Sequence, residues 1–110
     1  MNIGQSSIFA LLNQIFEIEK KASNSPLEKK LERNINRMKT TIEELGYVYH
    51  NPIGERYQIT RLDCEAMVAG GHTDNLRIVE VIKPIIYFQE GGRNQIVQKA
   101  VVITETSNEN

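Results

Sequence analysis

Leu31, Ile35, Met38, Ile42 and Leu45 recur at intervals of four, three, four and three residues. That is the heptad-like beat of a helix laying a narrow apolar seam against a neighbour. Lys, Arg, Glu, Asn and Thr fill the positions between, so only the seam asks for burial. Ser25-Pro26 places proline at a first helical position, Glu28 follows Ser25 at capping-box spacing, and Gly46 is a natural stop. The pattern predicts a helix over residues 26–45, ~30 Å long at 1.5 Å per residue. Upstream, "SSIFALLNQIFEIEKKA" predicts a second helix, N-capped by Ser6 or Ser7 and with lysines at its negative end. Ile8, Leu11, Ile15 and Ile18 keep a similar rhythm, and Phe9, Leu12 and Phe16 widen the stripe. "SNSP" separates the two helices.

An antiparallel pair of helices cannot cover stripes of this width alone. The expectation is a four-helix bundle shared by two copies of the chain, with Ile8, Leu12, Ile15, Leu31, Ile35, Met38 and Ile42 at the homodimer interface. The alternative is that the C-terminal half covers both stripes within one chain.

Beyond Gly46 the character changes. "YVYHNP" reads as a short strand and turn, and "ITRLDCEAMVAGG" as a helical turn or irregular chain before the loop "GGHTDN". "LRIVEVIKPIIYF" and "IVQKAVVIT" are rich in β-branched residues and joined by the hairpin signal "QEGGRN". Pro84 cannot donate to a ladder, so it marks a bulge, an edge or a break between strands. The polar tail "ETSNEN" is expected to fray. Helices followed by strands specify an α+β fold: an N-terminal helical hairpin over 1–46 for dimerisation, then a small β-rich, partner-binding domain over 47–110.

The 110 residues suffice for one modest core, and 40% hydrophobic with 25% charged residues is too apolar for full disorder. No apolar run approaches the roughly 20 residues of a membrane helix. The N-terminus lacks the charged and apolar blocks of a secretion signal, and the one cysteine fits a reducing compartment, so a cytoplasmic location is expected. The net charge of −1 gives no pull toward nucleic acid or anionic lipid. A winged-helix DNA binder would need a basic stripe, whereas the basic residues of "KKLERNINRMK" are interspersed with Glu as on a solvated face. His50, Cys64 and His72 share no ligand spacing, and a zinc site needs three or four convergent donors. Gly70-Gly71 and Gly91-Gly92 lack the lysine of a phosphate loop. No enzyme, metal or cofactor is expected.

The order of features resembles the C-terminal part of GrpE, the nucleotide exchange factor of the bacterial Hsp70 chaperone DnaK. A heptad-bearing helix ends in "IEELGYVY", followed by "NPIGERYQITRLDCEAM", a glycine-containing loop, "IVEVIKPIIYF" and "IVQKAVVIT". Leu45-Gly46 matches the helix end, Pro52 and Gly54 the following loop, Glu65-Ala66 the Glu-Ala of the family, Val79 and Val81 its first strand, and Ala100 with Val101 to Ile103 its last. The resemblance covers residues 41–104. The chain departs from the family at Ile59-Thr60-Arg61, where Phe-Asp-Pro is usual (or else Tyr57 replaces the Phe at a different spacing), at Cys64, where the family has His, at Pro84-Ile85 for Gly-Tyr, and at Gln98-Lys99 for Arg-Pro. The family's long N-terminal stalk helix has no counterpart in these 110 residues.

What the resemblance implies is a homodimer whose β-domain wedges open the ATPase cleft of an Hsp70-type chaperone so that ADP leaves faster, with no cofactor and no catalytic residue. The partner-binding segment is then Pro52, Gly54, Glu55, Arg56, Tyr57, Arg61 and Asp63, with Glu65 beside it, on a loop carried by a rigid scaffold. A blander assignment pairs Arg61 with Asp63 in a local salt bridge and lets Tyr57 cap the core. A non-catalytic dimeric adaptor of the same fold, serving another protein, is the alternative function.

Overall fold

The computed structural model describes residues 3–71 and 73–107; His72 and the last three residues of the polar tail lie outside them. The chain is α+β, and its described residues form two helices followed by seven strands in two sheets. By contact it divides into two compact units, Met1–Val48 with Phe88–Gln95, and Tyr49–Tyr87 with Ile96–Asn110.

In the first unit, α1 (Ile3–Ala22) and α2 (Glu28–Glu44) form an antiparallel hairpin, with Lys39 Nζ 3.5 Å from Glu19 Oε2. Helix α1 is already under way at Ile3, so Ser6 and Ser7 lie within it and do not cap it. The first turns are anchored by tertiary contact: Gln5 Nε2 donates to Tyr47 Oη at 3.2 Å, and the Phe9 and Tyr47 rings meet edge to face at 5.9 Å. The start of α2 is also displaced from its expected position. Glu28 Oε2 accepts from the Asn24 N–H at 2.7 Å and Ser25 Oγ from the Leu27 N–H at 3.1 Å, so the reciprocal capping moves one residue toward the N-terminus and Pro26-Leu27 form a turn ahead of the helix. Gly46 ends α2 as expected, at φ +96° with its N–H on Glu43 O at 2.8 Å.

Leu12, Ile15, Phe16, Ala22, Ile35, Ile42 and Tyr47 are buried. At roughly 1.5–3 kcal/mol for each large aliphatic or aromatic side chain withdrawn from water, this core holds the hairpin closed. Four of the seven residues expected at a dimer interface, Leu12, Ile15, Ile35 and Ile42, are therefore buried within a single chain. Ile8 and Leu31 are half-buried and Met38 is exposed.

One sheet has the order β1-β5-β6, from Tyr47–His50, Ile85–Glu90 and Arg93–Gln98. The other has the order β2-β4-β7-β3, from Arg56–Tyr57, Leu76–Lys83, Ala100–Thr106 and Cys64–Val68. Pro84 breaks one long arm into β4 and β5, and Lys99 breaks the returning arm into β6 and β7, so the hairpin changes sheets. Gln98 Nε2 donates to Pro84 O at 3.0 Å across the corner. β3 corrects the expectation of a helical turn or irregular chain: "CEAMV" runs parallel to β7 in continuous register from Cys64↔Ala100 to Val68↔Thr104. The tail also differs, because Glu105 and Thr106 continue β7 opposite Arg77 and Leu76.

Two register shifts in β4, between Ile78 and Glu80 and between Val81 and Lys83, rephase its alternation. Leu76, Ile78 and Val81 point inward, while Val79 and Ile82 are turned out. With Ile85, Ile86, Ala100, Val102 and Thr104, all fully buried, they make the core of the second unit. Among the described residues no helix is long and apolar enough to cross a membrane.

Candidate protein-docking loop

The segment after β1 is built as two successive turns. Asn51 Oδ1 accepts from the Ile53 N–H at 3.1 Å, and the Glu55 N–H reaches Pro52 O at 3.1 Å around Gly54, whose φ of +81° is a conformation a side chain would strain. Pro52 is fully buried. The turn is stitched to β4 on both sides, Gly54 N–H to Ile78 O at 2.8 Å and Ile78 N–H to Glu55 O at 2.9 Å. It delivers Arg56 and Tyr57 into antiparallel register with Arg77 and Leu76. A second turn follows, closed by the Arg61 N–H on Gln58 O at 2.9 Å.

Arg61 locks this second turn. Its Nε donates to Asp63 Oδ1 at 2.6 Å, its Nη2 to Glu55 Oε1 at 2.6 Å, and its Nη1 to the carbonyl of Arg56 at 2.9 Å. Glu55 also touches Nε2 of His50. The planar guanidinium fork suits such a hub, because three directions are satisfied by one rigid group. The chain continues from Asp63 directly into β3, with Asp63 O accepting from the Ala100 N–H at 2.9 Å. The expected Arg61–Asp63 pair is present, and it is one arm of a wider network.

Electrostatics follow from the packing. Burial raises the Glu55 and Asp63 carboxyls, but the hydrogen bonds and charge of Arg61, joined by His50 at Glu55 and by Cys64 and the backbone at Asp63, together outweigh it, and both are held below their ordinary values. Hydrogen bonding to Asp63 holds the Arg61 guanidinium more firmly protonated than usual. Burial pushes the Cys64 thiol up to about 11, against the pull of Arg61, so the thiolate needed of a nucleophile or soft ligand is disfavoured at neutral pH. Among the described residues no group of three or more His, Cys, Asp or Glu is placed to hold a metal ion.

The segment expected to meet a partner is thus sorted by the fold. Glu55, Arg61 and Asp63 face one another and hold the loop. Tyr57 is half-buried, Pro52 is core, Gly54 is a turn position, and Arg56 is exposed. Glu65 is exposed on β3. Two residues that the charged and aromatic pattern passed over are, among the described residues, the most exposed large aliphatics: Ile59 at 91% and Leu62 at 78%. Their signal was present in the sequence. Bulky aliphatics three apart in a turn, where Gly, Asn, Asp and Ser belong, have no burial to gain within a short loop. Set against protein-family profiles, curated proteins and solved structures, the chain matches none, so the functional reading rests on its own residues.

Proposed function

We propose that this chain is a GrpE-like co-chaperone that binds the ATPase domain of an Hsp70-type chaperone in the cytoplasm and promotes ADP release. The observation that carries the reading is a β-rich unit offering a loop locked by its own ion pairs, with apolar side chains held out to solvent, at the segment where the resemblance puts partner contact. Such a factor works mechanically. It must bind the open nucleotide cleft more tightly than the closed one, since equal affinity shifts nothing. A tenfold faster release corresponds to about 1.4 kcal/mol of that preference. No residue of the chain needs to enter the chemistry of ATP.

Stopped-flow fluorescence of labelled ADP leaving the ATPase domain tests the proposal. We expect release to accelerate with dose, by about tenfold or more at saturation. Unchanged release with every Hsp70-type protein of the same cell would displace it in favour of the adaptor reading.

Homodimerisation belongs to the same proposal. Leu11 and Ile18 on α1, and Leu31 and Met38 on α2 with Leu45 at its C-cap, recur at seven-residue intervals. Four of the five are exposed, Leu11 at 54% and Leu45 at 56%. At 100° per residue in an antiparallel pair, both rows fall on one side of the hairpin. A second hairpin laid on that side completes a four-helix bundle. Sedimentation equilibrium of the full chain is expected to give a dimer, and Met38→Glu with Leu45→Glu a monomer of unchanged helicity. A wild-type monomer at tens of micromolar would remove the bundle from the proposal.

A further inference from the structure

Ile59 and Leu62 lie on either side of the residue pair Thr60-Arg61, and only Arg61 of this stretch turns back into the protein. On a mobile loop, two exposed aliphatics would mean little, because single apolar side chains are common on surfaces. Here the turn is closed by its own backbone bond and tied through Arg61 to Asp63, to Glu55 and to the carbonyl of Arg56. The conformation that holds both side chains outward is paid for before any partner arrives, and such preorganisation lowers the entropy lost on binding. A solvating loop needs neither the lock nor the aliphatics.

A second observation gives the charge of the partner. Arg56 opens the strand that feeds the turn, and its register partner on β4 is Arg77. Like charges directly opposite on neighbouring strands are unfavourable. Both arginines are exposed and, among the described residues, neither is in an ion pair, although Glu105 stands opposite Arg77 on its other side. The Arg61 guanidinium, by contrast, is committed to two carboxylates. The exposed pair is therefore open to carboxylates from outside the chain.

We infer that the turn at 58–62 is an apolar plug, with Ile59 and Leu62 entering an apolar recess on the partner protein whose rim carries carboxylates that meet Arg56 and Arg77. The inference rests on the proposed co-chaperone reading and assigns its contact residues. Ile59 and Leu62 are the anchors, the two arginines steer, and Arg61 is a positioning residue.

The test is binding of the full-length protein to the isolated ATPase domain of the Hsp70-type chaperone, read as association and dissociation rates alongside ADP release. Ile59→Ser with Leu62→Ser is expected to weaken binding about a hundredfold, mainly through faster dissociation, with the circular dichroism spectrum and Tm unchanged because both side chains are exposed. Arg56→Glu with Arg77→Glu is expected to slow association about tenfold and to flatten its salt dependence. Ile82→Ser, another exposed aliphatic of the same unit, should change neither rate. Wild-type binding and exchange with an Ile59/Leu62 double variant that behaves the same would overturn the plug and leave the co-chaperone reading standing. An equal loss from Ile82→Ser would overturn it as well. Failure of the wild-type protein to bind any such ATPase domain would overturn both readings together.

Discussion

Gly46→Ala destabilises the protein by about 3 kcal/mol, against the few tenths to 1 kcal/mol gained by the same exchange at a position with ordinary φ. Two terms add. Gly46 sits at φ +96°, where an L-residue is strained by roughly 1–2 kcal/mol. An added Cβ would lie 2.8 Å from Cε1 of Phe88 and 3.3 Å from the carbonyl oxygen of Gln89. Neither neighbour can move away cheaply. The Gln89 N–H is bonded to Gly46 O at 2.7 Å, and the Phe88 ring packs on Tyr47 with centroids 4.9 Å apart. Overpacking of that kind costs about 1–3 kcal/mol. Urea unfolding at fixed protein concentration measures the loss. A Phe88→Leu background separates the terms: the clash part is relieved and the φ part remains, so the double mutant should be more stable than the sum of the singles by about 1 kcal/mol. Strict additivity, or a loss from Gly46→Ala under 1 kcal/mol, would refute the close approach.

That one glycine shows how much of the fold was legible and where legibility stopped. The end of α2 could be read from Gly46 because a C-terminal glycine after a periodic seam is a local signal. Its contact with the tip of the β5-β6 hairpin is separated by more than forty residues of sequence and leaves no local mark. The same division holds elsewhere. Both helices, β1, the Gly91-Gly92 hairpin and the break at Pro84 are written in periodicity, β-branching and turn chemistry. β3 is not, because Glu, Ala and Met favour helices, and only its pairing with β7 makes "CEAMV" a strand. The β4 bulges were equally hidden, since "LRIVEVIK" reads as unbroken strand while the ladder slips twice.

At the candidate site the sequence marked a charged segment, and the fold turns several of its charges toward one another. Charged and aromatic residues were expected to face a partner because such residues anchor interfaces. Three of them, Glu55, Arg61 and Asp63, instead satisfy one another, and pairing across six positions of irregular chain follows no fixed spacing. With the polar side chains turned to each other, the turn is left to show Ile59 and Leu62.

Arg61→Ala is expected to cost about 2 kcal/mol at pH 7, because it removes three hydrogen-bonded directions and leaves two partly buried carboxylates facing each other. The magnitude is kept well below that of a fully buried pair. The Glu55 side chain is 37% exposed and its share is screened by solvent, whereas Asp63, at 22%, carries more of the loss. The pH profile gives the stronger signature. In the wild type both carboxyls titrate below their ordinary values of 4.5 and 3.8. Their contribution is therefore complete above those values and is lost as pH falls through the lower folded ones, so stability is level from pH 7 to about 5 and declines below about 4. Without Arg61 the burial of both groups remains, offset only by His50 at Glu55 and by the Cys64 and backbone hydrogen bonds at Asp63. Both pKa values then rise from their wild-type positions, so the variant has less carboxylate-linked stability to lose on acidification than the wild type. The gap between the two proteins should narrow from about 2 kcal/mol at pH 7 as the pH falls through the lowered folded values of both carboxyls, leaving the pH-independent share of the bond to the Arg56 carbonyl. Arg61→Lys supplies the charge without the fork and should recover less than half of the gap at pH 7. Full recovery by lysine, or a gap that stays constant from pH 7 to pH 3, would mean that Arg61 acts by packing alone and that the loop is not held by its ion pairs.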